Sequence, residues 1–127
     1  MLSLTAFAGE NWKTYYKTKE VEIQYCEVDC HDEANGLHQR KVLLKIINRQ
    51  NKKVEVYFTK ELTFSNKNME RPDLREFSVT LEPNATIEGS CSTRDNRLYI
   101  FLKQLNFSST ELKKFELKNI SVKPITQ

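Results

Sequence analysis

The sequence predicts an all-β fold, an antiparallel β-sandwich of seven to eight strands. Three observations carry that reading. Almost every segment alternates apolar and polar residues with a period of two. The breaks between segments hold turn-forming residues, among them Asn35-Gly36, "EPNA" and "TRDN". Only one stretch, "SSTELKK" at 108–114, looks helical, with Ser109 or Thr110 placed to cap a single turn.

The segments follow in chain order. "KEVEIQYCEVDC" places Val21, Ile23 and Tyr25 on one face and then Cys26, Val28 and Cys30 on the other. A period-two pattern changes parity only through an extra residue, so a β-bulge is expected near Tyr25–Cys26. Asn35-Gly36 signals a type I′ hairpin turn, which needs positive φ at both central residues. "RKVLLKIIN" is apolar on both faces at Val42–Leu44 and Ile46–Ile47, the pattern of a central strand covered on both sides. "KKVEVYFTKELTF" turns Val54, Val56, Phe58, Leu62 and Phe64 inward and Glu55, Thr59, Glu61 and Thr63 outward. The polar stretch 65–74 contains Pro72, which bars a central strand there. "REFSVTLEP" repeats the alternation with Phe77, Val79 and Leu81, and "ATIEGSC" gives Ile87, Gly89 and Cys91. "NRLYIFLKQL" sets Leu98, Ile100 and Leu102 against Tyr99 and Phe101. In "KKFELKNISVKPI" the inward set passes from Phe115 and Leu117 to Ile120 and Val122, a second parity change and a second expected bulge.

The phrase "VTLEPNATIEGSC" resembles the small immunoglobulin-like domains of secreted bacterial proteins, in which an L-x-P-x-x-(S/T) turn links two strands across the sandwich. The combination "W…VEIQY…DCHDEANG…VLLKIIN" is similar to a group of small exported proteins of Bacteroidota-type bacteria, over about residues 12–122. The resemblance implies a fold and an exported location but no activity. It departs from antibody domains in one respect, since Trp12 precedes all three cysteines.

Composition narrows the rest. A chain of 127 residues makes one domain with a real core. Its charged fraction of 29% and net charge of +3 come from basic residues scattered singly or in pairs. Nucleic-acid binders gather them into a patch or stripe, so no nucleic-acid partner is expected. No apolar run reaches the length of a membrane span. Residues 1–8 read as the tail of a secretory leader: Leu2, Leu4, Ala6, Phe7 and Ala8 end in an A-x-A site before Gly9 and Glu10. A short N-terminal strand is the alternative. The leader reading puts the sandwich domain at 9–127 and the protein outside the cytoplasm, secreted or at the cell envelope.

In an oxidising compartment two of the three cysteines, Cys26, Cys30 and Cys91, would pair. On one strand Cys26 and Cys30 stand about 13 Å apart, and a disulfide needs Cα atoms within about 7 Å. Each must therefore look to Cys91. Cys30–Cys91 is favoured because Cys30 ends its strand beside the turn; Cys26–Cys91 stays open. The rival is a zinc site from Cys26, Cys30, His31, His38 and Cys91, although C-x3-C along a strand spreads the sulfurs. Asp29, His31, Asp32, Glu33 and His38 are the remaining metal candidates, a zinc or calcium site or a metal-dependent hydrolase at the 29–38 turn, without the spacing of an EF-hand loop.

Catalysis finds little purchase. A Ser-His-Asp set would need His31 or His38 to meet Ser90 or Ser92, and no G-x-S-x-G elbow exposes either serine. A Cys26–His38 pair and the carboxylates Glu20, Glu22 and Glu61 are no more distinctive. No Gly-rich phosphate loop is present, and no cofactor is expected. Trp12, Tyr15, Tyr16, Tyr57, Tyr99 and Phe101 are candidates for an aromatic surface that binds a protein or glycan ligand. The expectation is a non-enzymatic exported binding or accessory module.

Overall fold

A computed structural model describes residues 11–64, 72–106 and 111–125. Among the described residues eight strands run in chain order: β1 (Lys13–Lys17), β2 (Val21–Asp32), β3 (Leu37–Asn48), β4 (Val54–Phe64), β5 (Asp73–Leu81), β6 (Thr86–Glu88), β7 (Tyr99–Gln104) and β8 (Leu112–Pro124). They form two sheets, ordered β1-β2-β3 with β6 and β7 both beside β3, and β5-β4-β8; every pairing is antiparallel. The protein is an all-β antiparallel sandwich, as its alternation predicts. Among the described residues no helix is long and apolar enough to cross a membrane. Residues 1–10, where the leader or N-terminal strand was expected, lie outside the described residues, as do 65–71 of the polar stretch.

The core lies between the sheets. Val21, Ile23, Val42, Leu44, Ile46 and Ile100 of the first sheet meet Val54, Val56, Phe58, Val79, Leu81, Leu112 and Leu117 of the second. β3 is the central strand foreseen, with Val42, Leu43 and Leu44 all buried although they alternate between faces. Asn48, buried at its end, explains how the sheets are tied together at that end. Its amide donates to the Lys52 and Glu82 carbonyls and its Oδ1 accepts from Gln50 N–H, pinning the two crossings β3–β4 and β5–β6 to each other. The second crossing is the "LEPNAT" turn, with Asn84 at positive φ, so that phrase does join the two sheets.

Four local expectations meet the structure differently. β2 stays in unbroken register with β3 from Val21↔Asn48 to Asp32↔Leu37, so there is no bulge at Tyr25–Cys26. The strand instead uses one face and then the other. Val21 and Ile23 enter the core, whereas Cys26 and Cys30 are buried on the outer side, where Trp12 and the chain around Cys91 pass over the sheet. The bulge lies next door in β1, at Tyr15 between Thr14 and Tyr16. The second expected bulge is present: Lys118 and Ser121 bracket one extra residue opposite Phe58, with Asn119 at φ 54°. Asn tolerates that left-handed conformation better than most residues.

The 33–36 turn is a hairpin but not type I′. Glu33–Asn35 form a single 3-10 turn and only Gly36 has positive φ, at 65°. Asn35 Nδ2 donates to the Asp32 carboxylate at 2.8 Å, which holds Asn35 in the right-handed region. The helical turn expected at 108–114 is also replaced. Leu112–Lys114 are already β8, with Leu112 buried opposite Phe64, because tertiary pairing outweighs local propensity; 108–110 lie outside the described residues.

β6 and β7 are two halves of one edge strand. Leu44 N–H donates to the Leu98 carbonyl, and the Leu44 carbonyl accepts from Gly89 N–H, both at 2.9 Å. The segment 90–97 is therefore an excursion that leaves and rejoins the sheet at a single residue of β3. Only glycine fits where it leaves: a Cβ on residue 89 would stand 2.3 Å from the Leu98 carbonyl oxygen. Gly89→Ala is expected to lower unfolding free energy by about 1–3 kcal/mol in urea titrations, with the m-value unchanged.

Candidate functional site

The disulfide is Cys30–Cys91, with Cα atoms 5.4 Å apart. It fastens the 90–97 excursion across the outer face of the first sheet, reaching over β3 to β2. Cys26 remains buried outside the bridge. With Cys30 and Cys91 bonded to each other, the five-ligand zinc set loses two of its thiolates.

Asp29, His31, Asp32 and His38 of the turn candidates are engaged locally. Asp29 takes a two-pronged bond from Arg40, with Nε–Oδ1 at 2.7 Å, and that hydrogen bond lowers its pKa. Asp32 holds Asn35, and His31 and His38, directly opposite across the hairpin, bring their Nδ1 atoms to 2.8 Å. Among the described residues no group of three or more His, Cys, Asp or Glu is placed to hold a metal ion. The carboxylates considered for acid–base work are likewise tied down. Glu22 accepts from Gln24 and Thr14 and Glu61 from Lys118, and both pKa values are lowered by those bonds.

The aromatic candidates separate. Trp12 lies 4.4 Å from the Lys45 ammonium on the outer face of the first sheet. Tyr57 sits on the outer face of the second sheet, its hydroxyl donating to Glu55 and Lys123 above its ring. Tyr15 and Tyr16 pack against the core, and the Tyr15 ring meets Tyr25 and Phe115. Tyr99 and Phe101 both border a cleft of about 220 Å³ between the open edges of the two sheets, and the Tyr99 ring, opposite Leu43, carries the Lys41 ammonium 4.8 Å from its centre. Leu62, Phe64 and Phe77 of the second sheet and Ile100 of the first complete its apolar lining.

One residue that sequence reasoning passed over sits in this cleft. Lys60 occupies an inward position of β4, in the same alternation as Val54, Val56, Phe58, Leu62 and Phe64, and is only 3% exposed. Its ammonium donates to the carbonyls of Asn96 and, at 2.9 Å, Tyr99, and lies 4.5 Å from the centre of the Phe77 ring. Tyr99 C=O points away from β3, so Lys60 satisfies an acceptor on the free edge of β7. Burying this cation disfavours its charge, and its pKa falls from 10.5 to about 8; Asp95 opposes the shift and Arg75 adds to it. The signal was present in the sequence as the one charged residue at an inward position of an otherwise apolar strand.

The neighbouring charges pair with one another. Arg75, directly opposite Lys60 on β5, binds Asp73 at 2.9 Å. Arg97 binds Asp95 through Nη2 and Nε and also donates to the Ser78 carbonyl on β5. The chain matches no protein-family model, no curated protein and no solved structure.

The depressed pKa has a thermodynamic consequence. Below about pH 8 the folded chain carries the full cost of the buried ammonium. Between about pH 8 and the unfolded value near 10.5 the unfolded chain holds a proton that the folded one has lost, so stability rises with pH. The wild-type protein is expected to gain about 2–3 kcal/mol over this range relative to Lys60→Met, read as the difference between their urea midpoints along a pH series.

Proposed function

We propose that the chain is a non-enzymatic, exported binding module of the cell envelope and that the Lys60 cleft is its ligand site. The observation that carries this reading is the cleft itself. It has apolar walls from both sheets, and of the polar residues that border it, Lys60, Arg75 and Asn96, Lys60 is buried and held in place by two backbone carbonyls. That is the usual make-up of a binding pocket: mostly apolar lining with a few fixed polar groups. Ser90 bonds to Ser92 and to Thr93 on the 90–97 excursion, and the Cys30–Cys91 bridge sets that segment beside the hairpin where His31 and His38 bond to each other. An exported location is supported by the Cys30–Cys91 bridge, since such bonds persist in oxidising compartments.

Two measurements test the reading. Protein recovered from the native envelope should alkylate at Cys26 alone after denaturation without reductant; three reactive thiols would remove the exported location. Amide NMR spectra recorded against mixtures of small apolar compounds should shift residues of β5 and β7 around Phe77, Tyr99 and Phe101. Shifts confined to the outer faces would displace the site.

A second reading, cation binding at the 29–38 hairpin, draws on the facing His31 and His38 nitrogens. Bound zinc or calcium near one per chain, with resonances of both histidines shifted, would favour it over the first.

A further inference from the structure

The cleft has a charge that the protein does not balance. Of the charged side chains, Lys60 and Arg75 of the second sheet line it; Asp73 is paired with Arg75, and the Asp95–Arg97 pair sits on the chain that leads into β7. Arg75 is matched by Asp73 and Arg97 by Asp95, at 2.9 Å and 2.7 Å. Among the described residues, Lys60 has only carbonyl acceptors and an aromatic face. An ammonium has three N–H donors, so two carbonyls leave one for another acceptor. Arg75 also stands directly across β4–β5 from Lys60, and like charges placed opposite each other on a sheet repel. An anion between them relieves that repulsion.

The rest of the cleft sets the body of the ligand. Leu62, Phe64, Phe77, Ile100 and Phe101 offer no charge, so all but one end of an occupant must be apolar. A cavity of about 150 Å³ takes one benzene; the volume of about 220 Å³ here holds roughly nine or ten non-hydrogen atoms on that scale.

Resting on the cleft as the binding site, we infer that its ligand is a small apolar carboxylate, a medium-chain fatty acid or arylalkanoate, whose carboxylate meets Lys60 and Arg75 while its chain lies among Leu62, Phe64 and Phe77. A carboxylate beside Lys60 stabilises the ammonium, so the complex holds the proton to higher pH than the empty protein does. Above about pH 8, binding takes up a proton and affinity declines; the other charged groups around Lys60 are Arg75 with its partner Asp73 on β5 and the Asp95–Arg97 pair on the chain entering β7.

The experiment is an amide NMR titration of the whole chain with heptanoate, with heptanamide as the neutral match, near pH 7 and near pH 9.5. Heptanoate should shift Phe77, Tyr99 and Phe101 saturably, bind about tenfold more tightly than heptanamide near pH 7, and lose about tenfold in affinity near pH 9.5. Lys60→Met should abolish the preference between the two compounds while the dispersed spectrum reports its fold. If that variant does not fold, the pH series on the native chain gives the same test. Equal binding of acid and amide, or a flat pH profile, overturns the charge assignment and leaves the cleft as a site. No shift in the cleft with either compound overturns the site itself. Binding of a short peptide ending in a free Phe carboxylate, with none of heptanoate, overturns the small-molecule assignment.

Discussion

A β-sandwich leaves the outermost strand of each sheet with backbone groups that have no neighbouring strand, and those groups need partners wherever water is excluded. Here side chains from one sheet reach across to the edges of the other. Tyr15 of β1 accepts from Leu117 N–H at 2.9 Å and donates to the Leu117 carbonyl on β8. Lys60 of β4 takes the Tyr99 carbonyl on β7, and Arg97 takes the Ser78 carbonyl on β5. These bonds join the two layers by specific contacts, where apolar packing alone leaves their relative position less defined. Tyr15 does so with a neutral group. Lys60 does it with a charge, and the burial of that charge gives the cleft its chemistry.

Much of the fold was legible because alternation is a direct record of which face is buried. β3 could be read as central from Val42–Leu44, and the bulge at Asn119–Ile120 from the change of parity after Leu117. The same rule misled at Tyr25–Cys26. It assumes one covered face, and β2 has Ile23 in the core but Cys26 and Cys30 buried on the other face, Cys30 by its bridge to the Cys91 segment. Nothing local in the sequence announces a cover formed by residues far along the chain. Asn35-Gly36 marked a hairpin correctly, yet the Asp32–Asn35 side-chain bond selected another turn.

The site was less legible than the fold. Tyr99 and Phe101 stood out as aromatics on a second face, but so did Trp12 and Tyr57, and only the arrangement of sheet edges separates them. Lys60 was hidden by the regularity of its own strand: five apolar residues at alternate positions make the odd member easy to pass over. A buried lysine at such a position needs acceptors, and those came from the carbonyls of Asn96 and Tyr99, which sequence patterns do not reveal. The cysteines were more tractable. Strand geometry alone excluded the Cys26–Cys30 pair, and position beside the turn favoured Cys30.

The departure and return of the chain at Leu44 has an evolutionary meaning. Because Gly89 and Leu98 dock to the same residue of β3, what lies between them is an insertion that the sheet does not register. Its first part, 90–94, touches the body through the Cys30 bridge and can lengthen, shorten or be exchanged for foreign sequence while the strands keep their pairing. Its last part cannot drift in the same way, since Asn96 and Arg97 are joined to Lys60 and Ser78. A single loop thus holds a loosely tied half and a fixed half side by side, so a change of sequence in the first around Cys91 can alter the outer surface without moving the groups that hold Lys60.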